Sequence, residues 1–292
     1  MSILAFRDTN VLIQGITGNQ ARQHTKNMLD YGTRIVAGVR PGSGGENVHC
    51  VPVYNSIEEA CQSHRIDASV LFIPAKSVKE AALDAMKNGI RLIVCVAEHV
   101  PLHDAMFIFE EAKKRGTIII GPNTPGMISP PENTKLGFVP TMYFRPGPIG
   151  VCSRSGTLTY ELVMRLTAAG LGQSTVIGVG GDRIIGLRFR DALKLFEEDS
   201  KTKATLLIGE IGGSMEEEVG EMVARGDIRK PVFVYIAGST APEGQRVGHA
   251  GAIIAGSGGS VEGKVKTLQQ AGVHVGTTIA EVIEMIKKAV GN

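Results

Sequence analysis

Short runs rich in Val and Ile alternate with longer amphipathic stretches along the whole chain, and Gly or Pro marks most of the joints. In the first half, Val11–Ile13, Arg34–Val39, Val70–Pro74, Leu92–Val96 and Ile118–Gly121 are apolar at successive positions and predict strands buried on both faces. Asn19–Asp30, Ser56–His64, Val78–Asn88 and Leu102–Lys114 lie between them with helical spacing of apolar residues. Gly32, Gly89 and Gly116 follow three of these helices closely, where a left-handed stop is expected.

The rhythm breaks over Pro122–Pro148, which holds seven prolines and no clean periodicity, so 126–147 reads as a connection between domains. Alternation then resumes. Strands are predicted at Ile149–Cys152, Thr175–Val179, Leu206–Ile208, Val232–Ile236 and His274–Val275. The helices between and after them are Thr157–Ala168, Leu187–Glu198, Met215–Arg225, Val261–Gln270 and Ile279–Val290. The expected fold class is α/β: a Rossmann-like domain over 1–125, then a flavodoxin-like domain over 148–292, both open parallel sheets. In such sheets ligands gather at the carboxyl ends of the strands.

Composition narrows the function classes. Apolar residues make up 43% and charged residues 21% of 292 residues, and the net charge is +2 with both signs scattered. No basic face announces nucleic acid, and no apolar run spans a bilayer. The four cysteines (Cys50, Cys61, Cys95, Cys152) show no CxxC spacing and read as free thiols in a reducing compartment. The start, Met1 to Asp8, is too short and too soon charged for a signal peptide. A cytoplasmic protein is expected, or one of the mitochondrial matrix if a presequence has been removed.

Candidate chemistry gathers at strand ends. Gly15-Ile16-Thr17-Gly18-Asn19-Gln20 joins the first strand to the first helix, where glycines admit a phosphate to free N–H groups. The second strand ends in Arg40 in place of the acid that a ribose 2′-hydroxyl requires, so NAD is disfavoured. An arginine suits a phosphorylated ribose, which NADP and coenzyme A both carry; a structural turn without ligand is the bland alternative. Ser153-Arg154-Ser155-Gly156-Thr157 opens another helix after a strand and reads as an anion cradle or as simple helix capping. Gly258 to Lys264 has P-loop offsets, but Val265 has no hydroxyl for Mg²⁺, so it reads as a Gly/Ser turn before a surface helix.

His249, within Gly248-His249-Ala250-Gly251-Ala252, is stripped of bulky neighbours and open to a ligand. Glu210, at the carboxyl end of a neighbouring strand, is placed to fix its tautomer and raise its basicity. An oriented imidazole beside an anion cradle is what transient phosphorylation of histidine requires. The remaining histidines show no ligand cluster, and no metal is assigned to this chain.

These motifs resemble a known family. Gly248–Gly256 is similar to the phosphohistidine loop of the succinyl-CoA synthetase alpha subunit; Ser153–Glu161 and Gly209-Glu210-Ile211-Gly212-Gly213 match the same family, in the same order along essentially the whole chain. The resemblance implies a CoA-binding N-terminal domain, a C-terminal ligase domain, and a beta subunit of ATP-grasp fold that carries ATP or GTP with Mg²⁺. The assembly would be an alpha-beta heterodimer or an alpha2-beta2 heterotetramer, with no nucleic acid and no membrane. The implied reaction activates an acid as its acyl phosphate, forms the CoA thioester, and passes the phosphoryl group through His249. Carried over onto this chain, Thr17, Gly18, Asn19 and Gln20 would hold CoA, with Arg40 and Ser43 in the next loop and Val96, Ala97 and Glu98 lining the same site. Tyr160 would lie at the acid site, with Ser153, Ser155, Gly156 and Asn123 around the phosphate. Two helix starts, near Asn123 and Ser153, would aim their positive ends at the phosphohistidine.

Several positions depart from the family's pattern. Ser43 stands for a usual lysine, Thr124 for a cysteine, Ala97 for a threonine, and Arg183 for a proline, as in the related ATP-citrate lyases. They cluster at CoA and acid contacts, so citrate, malate or a sulfonated acid stand beside succinate as substrates. An NADP-dependent oxidoreductase would leave the histidine loop unexplained. A non-catalytic CoA-binding regulatory subunit would gain no phosphate on histidine.

Overall fold

The computed structural model describes residues 2–238, 248–249, 251–253 and 259–291, and within them two seven-stranded sheets, each covered by helices. The first sheet uses β1 (Val11–Gln14), β2 (Ile35–Val39), β3 (Asn47–Val48), β4 (Val51–Tyr54), β5 (Ala68–Leu71), β6 (Leu92–Cys95) and β7 (Ile118–Ile120). Its helices are α1 (Asn19–Tyr31), α2 (Ile57–Ser63), α3 (Val78–Lys87) and α4 (Leu102–Arg115). The strand order β3-β4-β2-β1-β5-β6-β7 puts the reversal of direction between β1 and β5, so a crevice opens above their carboxyl ends. Strands β1, β5 and β6 are buried at every position, which is why they carry no polar alternation. Gly32 and Gly116 end α1 and α4 in left-handed backbone, and Gly89 takes the same conformation after α3, as expected.

The second sheet takes β8 (Gly126–Ser129), β9 (Thr134–Gly137), β10 (Pro146–Ser153), β11 (Gln173–Gly178), β12 (Ala204–Glu210), β13 (Val232–Ala237) and β14 (His274–Gly276). Helices α5 (Gly156–Ala168), α6 (Phe189–Glu198), α7 (Met215–Ala224), α8 (Val261–Gln270) and α9 (Ile279–Val290) pack against it. The order β14-β13-β12-β10-β11 is flavodoxin-like, with its own reversal between β10 and β12.

The α/β class holds, but neither sheet is wholly parallel. β3 runs antiparallel to β4, and the stretch read as a connection supplies β8 and β9, an antiparallel hairpin on the edge of the second sheet. Prolines hid that hairpin: Pro130 sits in the tight turn between its strands, and Pro125, just before the first, pairs through its carbonyl alone, accepting the Phe138 N–H at 2.9 Å, so no donor is missed. The hairpin also ties the halves together. Thr33 Oγ1, just past α1, donates to the carbonyl of Lys135 at 2.9 Å and accepts its N–H at 3.0 Å. One hydrophobic core runs through both sheets, from Val11 and Met28 to Met127, Leu136 and Leu207. No helix of the described residues is long and apolar enough to cross a membrane.

Candidate active site

Glu210 closes β12, and the chain then turns through Gly212 and Gly213, both at positive φ, into α7. Only a glycine fits at 212: a Cβ there would meet the carbonyls of Gly251 and Ile253 at 2.5 Å. The N–H of Gly212 donates to the carbonyl of Gly259 at 2.8 Å. This turn therefore seats Gly251, Ile253 and Gly259, on the stretch that bears His249; Ala250 and 254–256 of the Gly248–Gly256 motif lie outside the described residues. The imidazole Nδ1 lies 2.7 Å from Glu210 Oε2, and the ring is 29% exposed.

That contact is the first cause of a raised His249 pKa; burial works against it, and the carboxylate's charge adds to it. Arg154 Nη2 stands 3.0 Å from the other oxygen, Glu210 Oε1, which receives no in-line hydrogen bond, so the contact is an ion pair. In sequence Arg154 is only one residue of the Ser153–Thr157 cradle. Its full burial between the two strand ends that flank the topological reversal was not visible from its neighbours in sequence.

The opposite wall comes from the ends of β7 and β11. Asn123, at φ 58, receives a Gly181 N–H on its carbonyl and donates through Nδ2 to Asp182 Oδ1 at 3.1 Å. Its own N–H donates to the carbonyl of Ala97 at 2.8 Å. Asn123 thus bridges the loop after β6 to the glycines beside His249. Burial, before all else, pushes the Asp182 carboxyl above its usual range. No helix begins at Asn123, contrary to expectation; a cis bond before Pro122 and the left-handed Asn123 turn the chain straight into β8. The helix starts close to the site are those of α5 and α7.

Ser153 and Ser155 are committed to that turn. Ser153 Oγ donates to the Ser155 carbonyl at 2.8 Å, and Ser155 Oγ accepts the Leu158 N–H at 3.4 Å as the cap of α5. Gly156 opens that helix, 3.7 Å from Pro125 if given a Cβ. Tyr160, on α5, leans on the apolar core of the second sheet, and burial pushes its phenol up to about 12.

A groove of about 670 Å³ follows the carboxyl ends of the first sheet, lined by Gly15, Gly18, Arg40, Asn55, Phe72 and Pro74 among others. Gly15, at φ 77, passes so close to Phe72 that a Cβ would lie 2.5 Å from its carbonyl oxygen. Gly18 caps α1 with backbone alone, leaving its first N–H groups open to an anion; Asn19 and Gln20 are exposed in that first turn. Arg40 Nη1 donates to Thr17 Oγ1 at 2.8 Å, placing the guanidinium over this turn. Ser43 sits in the adjoining loop, its N–H donating to the Arg40 carbonyl, and Asn55 Oδ1 accepts the N–H groups of Gly42 and Gly44. Val96, Ala97 and Glu98 follow β6 and are not among the residues named as lining this groove; of the three, Ala97 accepts the Asn123 N–H.

The chain thus holds a glycine turn with open N–H groups at one sheet's strand ends and an oriented imidazole at the other's. Family models agree: the CoA binding domain matches residues 6–99 and the CoA-ligase domain residues 152–274. A succinate–CoA ligase [ADP-forming] subunit alpha 2 of Archaeoglobus fulgidus is 51% identical over 286 residues, 98% of this chain and 99% of its own. The corresponding alpha subunits of Methanothermobacter thermautotrophicus and Staphylococcus aureus are 49% and 46% identical over 99% of this chain and 97% and 96% of theirs. The chain belongs to the family of succinate–CoA ligase alpha subunits.

Among solved structures, ATP citrate lyase from Methanothrix soehngenii, in complex with citrate and coenzyme A, superposes with a TM-score of 0.90 at 25% identity. The match covers 99% of this chain and 50% of the lyase chain, so this chain spans half of that protein's length. A dinucleotide-forming acetyl-coenzyme A synthetase of Ca. Korarchaeum cryptofilum shares the fold, with a TM-score of 0.79 over 98% of this chain and 62% of its own.

Proposed function

We propose that this chain is the alpha subunit of a succinate–CoA ligase, turning over only with a beta subunit of ATP-grasp fold that carries ADP or ATP and Mg²⁺. The observation that carries the reading is the 2.7 Å contact between His249 Nδ1 and Glu210 Oε2 at the carboxyl edge of the ligase sheet. With Nδ1–H held by an ionised Glu210, the lone pair lies on Nε2, the nitrogen that attacks phosphorus. In the synthetic direction Nε2 takes the γ-phosphoryl group of ATP, releasing ADP. A succinate carboxylate oxygen then attacks phosphorus, breaking the P–N bond and forming succinyl phosphate. The CoA sulfur attacks the acyl carbon, the C–S bond forms, and phosphate leaves.

The CoA nucleotide occupies the groove at Gly15–Gln20 with Arg40 and Ser43 beside it, and the pantetheine arm passes Val96, Ala97 and Glu98 toward His249. The Asn123 bridge supports that path, since Ala97 and the His249 wall share it. Ser153, Ser155, Gly156 and Tyr160 border the acid and phosphate around the start of α5, whose positive end favours negative charge.

Brief incubation of the chain and its beta subunit with γ-labelled ATP tests the proposal. The expected label is acid-labile and base-stable, disappears in His249→Asn, and is discharged by succinate plus CoA. Label that survives acid overturns it. A panel of succinate, citrate and malate assayed for thioester formation tests the acid; faster discharge by citrate would reassign it.

A further inference from the structure

Behind Glu210 runs an unbroken line of buried charges. Lys264 Nζ, on α8, donates to Glu216 Oε2 at 2.5 Å, to Glu217 Oε2 at 3.0 Å and to the carbonyl of Gly213 at 3.0 Å. Glu216 Oε1 accepts the backbone N–H of Glu210 at 3.2 Å and lies 3.5 Å from Arg154 Nη1. Arg154 Nη1 donates to the carbonyl of Gly212 at 2.9 Å, and its Nη2 faces Glu210 Oε1. Side-chain exposures are 4% for Arg154, 8% for Glu210 and 0% for both Glu216 and Lys264. Lys264 is thus no surface residue of a Gly/Ser turn; it occupies the inward stripe of α8 with Leu268. Gly209 makes room for the Glu216 carboxylate, which would lie 2.5 Å from a Cβ there.

Stability is a poor explanation for such a line. Each buried ion costs several kcal/mol to desolvate, and well-packed apolar side chains would serve a core equally well. Its position explains it better. The two cations clamp the carbonyls of Gly212 and Gly213, the turn that follows Glu210, and they stand against Glu210 and Glu216 inside, with the partly exposed Glu217 as a third carboxylate on Lys264. A protonated Glu210 would donate to Nδ1 and move the imidazole proton to Nε2, removing the lone pair that attacks phosphorus. We propose that Arg154, Glu216 and Lys264 are positioning residues of the histidine site: Arg154 holds the Glu210 carboxylate, Lys264 holds its turn, and Glu216 ties the two cations together, so that Glu210 Oε2 stays fixed on His249 Nδ1. This rests on the reading of His249 as the phosphoryl carrier.

The ring of His249 is faced by Glu210 from β12, by Arg154 beyond β10, and by Asp182 beyond β11, with Glu98, His99 and Asn123 around Asp182. Glu216 and Lys264 form the next layer, from α7 and α8, so their removal acts through charge. Losing the Lys264 ammonium leaves excess negative charge and favours the imidazolium; losing the Glu216 carboxylate does the opposite. A merely structural role predicts damage of one sign in both.

The test is an NMR titration of His249 in the full chain labelled at histidine Cε1, its signal assigned by its absence from His249→Asn. Lys264→Met is expected to raise the His249 pKa by about half a unit or more, and the isosteric Glu216→Gln to lower it similarly. Lys264→Arg should restore the native value. With the beta subunit, the acid limb of the phosphorylation pH profile should move with each titration, since the neutral ring is the nucleophile. CoA titration, read in the other domain, confirms that each variant is folded; should Lys264→Met fail it, Glu216→Gln alone decides the sign. Unmoved titrations, or shifts of the same sign, overturn the proposal even if His249 is phosphorylated normally. Opposite shifts in a chain that never takes up phosphate would sustain the charge network and sink the phosphoryl-carrier reading instead.

Discussion

The His249 ring lies flat against Gly181: a Cβ on that glycine would stand 2.7 Å from Cγ and Cδ2 of the imidazole. The same glycine donates to the Asn123 carbonyl and accepts the Gly251 N–H at 3.4 Å, so it holds both the wall and the loop. Its backbone is not in the left-handed region, so alanine adds a clash without backbone strain. Gly181→Ala should displace the ring by a fraction of an ångström to an ångström, and misplacement on that scale costs about 10²-fold in rate. Phosphorylation rates should fall accordingly, with thermal stability and CoA affinity near native. A native rate would mean that the ring position is not critical.

Glu210→Gln keeps the shape of the contact and removes its charge. Loss of an acid–base element of this kind slows transfer by about 10²–10⁴-fold. The variant also carries a pH signature. Glu210 raises the His249 pKa in the folded chain above the ordinary 6.5. A raised folded pKa adds stability that is fully present below the unfolded value and is lost as pH rises through the folded one. The stability gap between native chain and variant should therefore be wider at pH 6 than at pH 9 in urea melts. A gap independent of pH would show that the two side chains are not coupled as an ion pair.

How far the sequence discloses this site depends on how far apart the interacting residues lie. His249 and Glu210 were legible because each sits in a glycine-rich stretch, Glu210 at a strand end and His249 in a loop, where side-chain bulk is absent for a reason. Arg154 and Lys264 were not. Arg154 reaches a carboxylate 56 positions away and Lys264 one 48 away, and no local pattern marks a cation whose partner is that distant. A faint signal existed for Lys264: Val261, Lys264 and Leu268 share one stripe of α8, so the lysine replaces an apolar residue on the inward face. The β8–β9 hairpin was missed because Pro125, Pro130 and Pro131 resemble linker chemistry, whereas its register depends on Gly126 and Gly137 meeting backbone to backbone across the strands. Thr124 bridges that hairpin to the neighbouring strand by donating to the Gly178 carbonyl and accepting the Gly126 N–H at 2.9 Å.

Lys135 offers a stability prediction away from the chemistry. It is 2% exposed on β9, its Nζ donating to the Val139 carbonyl at 2.9 Å. Burial alone lowers its pKa to about 8. A depressed lysine pKa means that the unfolded chain binds the extra proton between about pH 8 and 10.5, so stability rises with pH across that window. The native chain should gain on Lys135→Met from pH 8 to 10.5, by at most about 3 kcal/mol. Equal slopes in both proteins would place the ammonium in contact with water.

Arg40 and Thr17 make the last prediction, about CoA. The 2.8 Å contact holds the guanidinium over the Gly15–Gln20 turn, at the mouth of the groove where a phosphorylated ribose would lie. Ser43 in the neighbouring loop brings no charge, so Arg40 is the cation of that rim among the described residues lining the groove. A charge-assisted contact to phosphate contributes about 1.5–3 kcal/mol, and the planar fork can take two oxygens at once. Arg40→Ala should therefore weaken CoA about tenfold or more in a calorimetric titration, and dephospho-CoA, which lacks the 3′-phosphate, should lose much less from the same change. Thr17→Val, which frees the arginine from its tether without removing charge, should cost several-fold at most. Ser43→Lys should bind CoA equally or more tightly. If the native chain binds CoA and dephospho-CoA alike and Arg40→Ala changes neither, the arginine is a solvated charge and the groove reads CoA by its Gly turn alone.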